Sequence, residues 1–148
     1  MKFKYRYLRD TSGSGRDYIR LPLLKVRLAF GANKTDVVGL VDTGATDCLF
    51  DRDVADDLGI TLADSDAKRE YFGVGGNSLV GHIHPIRFQI QGFSEWIEIE
   101  AAFIDSKLPY QILGQSGFFD NYEISFKRFR GRFEIKSRSF LHRNQGHK

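Results

Sequence analysis

One carboxylate stands out by its surroundings. Asp42 follows the apolar run Gly39-Leu40-Val41 and opens a turn of small residues, Thr43-Gly44-Ala45-Thr46. A carboxyl group at the end of an apolar strand loses part of its water, which raises its pKa, and small neighbours let another backbone come close. Such a group can serve as a general acid or base. The same residues also fit a strand-ending turn in which Asp42 only accepts hydrogen bonds from nearby amides, so the tripeptide alone leaves both readings open. Phosphoryl transfer through Asp42 is disfavoured, because neither a lysine nor a second aspartate stands directly after it.

Other chemistry-bearing residues have plainer readings. His82 and His84 share one face of an expected strand, as a metal pair would, but no third ligand is near in sequence. Cys48 is the only cysteine, so no internal disulfide or cysteine cluster can form. No histidine lies near it and Leu49-Phe50 follow, which favours a small buried apolar role. Gly73-Val74-Gly75-Gly76-Asn77 lacks the Gly-Lys-Ser or Gly-Lys-Thr of a phosphate loop. Asp51, Asp53, Asp56 and Asp57 miss the offsets of a calcium loop and read as a solvated helix face. Asn33-Lys34-Thr35 is a glycosylation sequon, meaningful only in a secreted chain. The run Phe126 to Phe133 interleaves aromatic and basic residues as single-strand nucleic-acid binders do, although an amphipathic hairpin gives the same pattern.

The elements that must position Asp42 are mostly strands. Phe3, Tyr5 and Tyr7 alternate with Lys2, Lys4 and Arg6, the period of a half-buried strand. Leu24, Val26, Leu28 and Phe30 alternate with Lys25 and Arg27, and a turn at Gly31-Ala32-Asn33-Lys34 leads into Val37 to Val41, predicting a hairpin. Asp51 to Gly59 reads as a two-turn helix with Asp51 as cap and Gly59 as left-handed stop. Tyr71-Phe72, the glycine-rich turn and Leu79 to Ile90 predict a second hairpin. Ile97 to Phe103 alternates as a strand, Gln111 to Gly114 follows, and a brief helical turn is expected near Ser116 to Phe119. Tyr122 to Phe126, a turn at Arg130-Gly131, and Phe133 to Ile135 predict a closing hairpin.

The chain has 148 residues with 41% hydrophobic, 28% charged and 14% aromatic residues, enough for a real core and incompatible with global disorder. No stretch reaches the roughly 18 apolar residues of a membrane span, and the first residues lack the apolar run of a secretory signal, so a cytoplasmic address without membrane attachment is expected. Net charge is +3, but residues 1–10 carry four basic groups against Asp10 and residues 127–148 carry eight against Glu134. Basic ends around an acidic middle fit either an acidic partner or solvated strand faces.

In this order and at these spacings, Leu40-Val41-Asp42-Thr43-Gly44-Ala45-Thr46, the glycine-tipped hairpin at Gly73 to Asn77, and Ile112-Leu113-Gly114 resemble the retropepsin-type aspartic proteases. The likeness spans roughly residues 20 to 136. It implies an all-β closed barrel with one or two short helices, and an aspartic endopeptidase with Asp42 as the catalytic carboxylate. Gly44, Ala45, Thr46 and Asp47 would then meet the substrate backbone, and Gly75 and Gly76 would tip a flap. Thr43 would brace two active-site loops across a dimer, with Ile112 and Leu113 packed behind the loop and Gly114 allowing close approach. Many viral members place an acidic residue directly after the alanine; here Thr46 stands there and Asp47 one later.

Water activation between two carboxyls needs a second acid, since one carboxyl cannot both take and give a proton. With a single Asp-Thr-Gly, the second must come from another copy of the chain, so a homodimer acting on an extended peptide is expected. No metal or organic cofactor is called for. The family builds its dimer partly from chain ends, and apposing basic ends predicts a dimer that tightens with added salt. The expected organisation is an N-terminal strand and Gly/Ser loop over 1–18, a protease domain over 19–137 and a basic tail over 138–148. A non-catalytic peptide-binding module of the same fold is the alternative, and a nucleic-acid partner is the less favoured third reading.

Overall fold

Alternation of apolar and charged residues becomes strand almost wherever it occurs. The computed structural model describes residues 1–65 and 67–139, so the expected basic tail lies outside the described residues from 140 onward. In chain order the strands are β1 (Lys2–Lys4), β2 (Arg6–Arg9), β3 (Tyr18–Leu21), β4 (Leu23–Phe30), β5 (Asn33–Val41) and β6 (Leu49–Phe50). The helix α1 (Arg52–Leu58) follows, then β7 (Lys68–Phe72), β8 (Ser78–Ile90), β9 (Ile97–Ile104), β10 (Gln111–Leu113), β11 (Tyr122–Lys127) and β12 (Arg132–Ser137). Short 3-10 turns occupy Leu62–Asp64 and Arg128–Arg130. The fold class is all-β. No helix among the described residues is long and apolar enough to cross a membrane.

The chain divides into two compact units. The first joins Met1–Leu23 to the segment that starts at Asn121. Here β1 and β11 flank β12 in an antiparallel sheet, and β2 pairs with β3. Phe133 is its centre, fully buried, stacked on Phe3 and edge-on to Tyr5. The expected first strand is interrupted at Tyr5, which is buried and whose N–H donates to Gly131 O at 2.9 Å. One alternating run thus serves two sheets. Strand β3 straddles the expected boundary between the segment over 1–18 and the protease domain over 19–137.

The second unit, Leu24–Asp120, holds the larger sheet, in the order β4-β5-β10-β6-β9-β8-β7. Strand β4 also pairs with β8, which brings the ladder back on itself. Strand β10 lies parallel to β5, with Leu40 opposite Ile112 and Val41 opposite Leu113. Inside are Leu24, Leu28, Phe50, Phe88, Ile90, Phe103, Ile104, Leu113 and Phe118, each fully buried. Burying a side chain of this size contributes about 1.5–3 kcal/mol.

Helix α1 begins and ends as its residue types require. The Asp51 carboxylate accepts from Val54 N–H at 3.2 Å, and Gly59 closes the helix at φ 70°. Asp51 does more than cap: it also accepts from Leu108 N–H and from Gln111 Nε2, while its own N–H donates to Gln111 Oε1 at 2.8 Å. This ties the helix start to β10. The helical turn expected near Ser116 to Phe119 is corrected by the structure. Ser116 instead bridges to Asp47, and Gly117 at φ 94° turns the chain out of helical geometry.

Candidate active site

The Asp42 loop is held from below by a second strand end. Strand β5 ends at Val41, and the Asp42 N–H donates to Leu113 O at 3.0 Å, extending the parallel ladder one step. The Gly44 N–H donates to Asp42 Oδ1 at 2.9 Å, and Ala45 N–H to Asp42 O at 3.3 Å, so the carboxylate is oriented by its own turn. Past Ala45 the chain runs across the segment after β10. Gln115 N–H donates to Ala45 O and Ser116 N–H to Thr46 O, at 2.9 and 2.8 Å, while Gln115 Nε2 donates to Thr43 O at 2.7 Å.

Glycine is demanded where these backbones cross. A Cβ on Gly114 would sit 2.2 Å from Asp47 O and 2.8 Å from Ala45 O, closer than any real contact. A Cβ on Gly39 would meet Leu113 Cγ at 2.7 Å. The resemblance implies Ile112 and Leu113 packed behind the loop, with Gly114 allowing close approach, and in the structure Leu113 is buried there. Ile112 is half-buried and reaches the cleft described next.

A cleft of about 590 Å³ opens above Asp42. Its floor comes from Asp42, Gly44, Ala45, Thr46, Leu49 and Ile112, and its other wall from β7, the turn after it and the start of β8, through Tyr71, Phe72, Val74 and Leu79. It is mostly apolar around one half-exposed carboxylate, with Glu70 as its other charge. The turn from Gly73 to Asn77 closes with Gly73 N–H to Asn77 O at 3.0 Å. Gly75 and Gly76 take φ of 97° and 81° at the exposed tip, beyond the residues lining the cleft. Thr43 is exposed on the loop, its carbonyl taken by Gln115.

Asp47 stands apart from the other residues expected to meet substrate. It is buried, and its two carboxylate oxygens accept from Arg69 Nη1 at 2.8 and 2.9 Å and from Tyr71 Oη at 2.6 Å. It does not line the cleft. Burial foremost, then the hydrogen bond to Asp47, pushes the Tyr71 hydroxyl well above its ordinary pKa, so Tyr71 remains a proton donor to this carboxylate. Arg69 and Tyr71 were not singled out in the sequence. Their spacing of two on β7 puts them on one face, but their partner lies 22 and 24 residues away, and no local pattern links the two.

The remaining chemical candidates sit elsewhere. Cys48 is fully buried, donates weakly to Ser116 O, and its thiol is pushed up to about 12, chiefly by desolvation. It is a core residue with an inert sulfur at neutral pH. His84 is buried edge-on to Phe103, and His82 is half-buried. Among the described residues, no group of three or more His, Cys, Asp or Glu is placed to hold a metal ion.

Comparison with known proteins bears on this architecture. Residues 25–116 match the family model described as aspartyl protease. Among solved structures, a retropepsin-like aspartic protease from Rickettsia conorii superposes with TM-score 0.57 at 17% identity, covering 92% of this chain and 98% of that one. The EIAV protease complexed with an inhibitor is a weaker likeness, with TM-score 0.45 at 22% identity over 72% of this chain and 88% of that one. No curated protein matches the sequence. The family model spans more than half of the residues, from β4 through the crossing at Gly114, and the chain therefore belongs to the aspartyl protease family, with a fold like that of the retropepsin-like structure.

Proposed function

We propose that the protein is an aspartic endopeptidase that works as a homodimer, with Asp42 from each of two copies forming the catalytic pair. The observation that carries this reading is the placement of Asp42. A carboxylate fixed by the Gly44 amide faces an apolar cleft, on a loop that crossing backbones hold in place. The chain supplies one such loop, and acid–base hydrolysis by water needs two carboxyls.

In the mechanism, like-charge repulsion lets the pair hold one proton between them, as the general account of aspartic proteases has it. The ionised Asp42 takes a proton from water as that water attacks the scissile carbonyl carbon. The protonated Asp42 of the other copy donates to the carbonyl oxygen, giving a tetrahedral diol without any covalent enzyme intermediate. Protonation of the departing nitrogen then breaks the C–N bond. Gly44, Ala45 and Thr46 lie where an extended peptide backbone would run, and Thr43 is exposed for contact with the second copy. The hairpin tipped by Gly75 and Gly76 acts as a flap that closes on the peptide and excludes water.

Asp42→Asn tests the reading. It should abolish peptide cleavage while leaving the denaturation midpoint nearly unchanged, and a peptide bearing a tetrahedral hydroxyl mimic should bind the parent protein far more tightly than the plain peptide. Cleavage by purified Asp42→Asn at the parental rate would exclude the assignment. Equal binding of mimic and plain peptide, without hydrolysis, would instead point to a peptide-binding module. Sedimentation at low and high ionic strength tests the pairing, with a dimer that tightens as salt screens the basic ends as the expected result.

A further inference from the structure

The unit built from the two ends of the chain carries a feature that peptide hydrolysis does not use. A groove of about 420 Å³ is lined by Tyr7, Arg16, Tyr18, Arg20, Leu21 and Arg128, together with Ile19. In the β2–β3 ladder Tyr7 lies opposite Arg20 and Arg9 opposite Tyr18. Successive side chains on a strand alternate faces, so Tyr7, Arg9, Tyr18 and Arg20 all stand on one face, rings and guanidinium groups in a checkerboard. Leu8 and Ile19 take the other face and are the more buried pair.

Tyr7 and Tyr18 are 65% and 63% exposed. Arginines and hydrogen bonds surround them. The Arg20 guanidinium lies 5.6 Å from the centre of the Tyr7 ring, Arg128 Nη1 donates to Arg20 O at 2.8 Å, and Arg20 Nη1 reaches Arg128 O at 3.5 Å. Arg16 is within 3.8 Å of Asp10, whose carboxylate also accepts from the Ser12 amide and hydroxyl. Near Arg128 on the same 3-10 turn, Phe129 is 81% exposed with the Arg130 guanidinium 5.2 Å from its ring centre.

Charge is divided in the same way. Residues 1–23 and 121–148 carry fourteen Lys and Arg against four Asp and Glu, a net +10, whereas residues 24–120 carry eight against fifteen, a net −7. Exposed rings interleaved with arginines in a strongly basic unit match the chemistry of a polyanion whose flat, apolar groups are open for stacking. A duplex hides its base faces and an acidic peptide has none to offer. We infer that the groove on the β2–β3 face is a binding site for single-stranded nucleic acid, with bases stacking on Tyr7 and Tyr18 and phosphates neutralised by Arg16, Arg20 and Arg128.

Fluorescence anisotropy of labelled 20-mer oligo(U) and oligo(dT) with the full chain in about 150 mM salt tests the site. Saturable binding that weakens with salt is expected. Tyr7→Ala and Tyr18→Ala should each lower affinity roughly 5- to 100-fold with an unchanged salt slope, because stacking is not ionic. Tyr18→Trp should retain binding, Arg20→Ala should also reduce the salt slope by about one, and Asp42→Asn should bind as the parent does. Thermal melts of each variant separate lost binding from lost folding, and the RNA and DNA arms show whether the 2′-hydroxyl matters. Absence of binding at this salt would overturn the inference. So would equal competition by duplex DNA or poly-glutamate with no effect of either tyrosine substitution, which would leave only attraction of the basic face for any polyanion or acidic protein.

Discussion

The Asp42 loop and the hairpin from Gly73 to Asn77 face the same cleft and are held in opposite ways. On the loop side, Gly114 is glycine because backbone fills the space where a Cβ would go. At the hairpin tip, Gly75 and Gly76 have nothing within 4 Å of that position and are glycine because φ is positive. One glycine marks a place that cannot yield, the other a bend with room around it. On the proposed reading a catalytic carboxylate needs fixed geometry and a cover needs freedom, and the contrast fits those two roles. Between them Asp47 reaches from the end of the loop to Arg69 and Tyr71 at the base of the hairpin, the one polar tie described between the two.

Substitutions at these positions break or sharpen the contrast. The largest effect is expected from Gly114→Ala, where the backbone must move to admit a methyl group, at a cost of about 3 kcal/mol or more. Urea denaturation measures it, and an unshifted midpoint would mean that the loop yields after all. Next comes Asp47→Ala, which leaves the half-buried Tyr71 hydroxyl without its acceptor and removes the tie; about 2 kcal/mol is expected, most of it from that hydroxyl, since Arg69 is half exposed and screened by water. Tyr71→Phe should recover about half of that loss in a double-mutant cycle with Asp47.

A smaller, pH-dependent effect is expected beneath the hairpin, at His84 on β8. Burial lowers its pKa, with His82 adding to the effect and the Leu62 carbonyl and Asp64 opposing it. Because the folded protein binds this proton less readily than the unfolded chain, the contribution is complete above about pH 6.5 and lost as pH falls from there toward the lower folded value, at a slope of at most about 1.4 kcal/mol per pH unit. Stability measured from pH 7 to 5 should flatten in His84→Leu. A slope unchanged by that substitution would assign the pH dependence to other groups. The smallest change in stability belongs to Gly75→Ala, about 1 kcal/mol for a side chain held at positive φ, yet it should slow peptide cleavage if the tip closes over substrate. Unchanged turnover would separate the hairpin from the reaction.

Much of this molecule is legible in its sequence. Period-two alternation gave Leu24 to Phe30 and Ile97 to Phe103 as strands, because a strand with one buried face leaves that signature in neighbouring residues. Asp51 and Gly59 bracket α1 because capping is decided within a few residues. At Ser116 a bridge to Asp47 outweighs the local preference for a helical turn. Strands β3 and β6 were missed because four and two residues are too few to display a period.

The site divides along the same line. That Asp42 begins a tight turn after an apolar strand, and that Gly114 permits something to come near, is set by residue type and by neighbours in the chain. That the something is the backbone of Ala45 to Asp47, that Asp47 turns to Arg69 and Tyr71 rather than lining the cleft, and that Tyr7 and Tyr18 share a face with Arg20, only the tertiary structure decided. The physical reason is distance along the chain. Propensity, capping and alternation act over a few residues, whereas these contacts join strands through registers that no short stretch of sequence encodes.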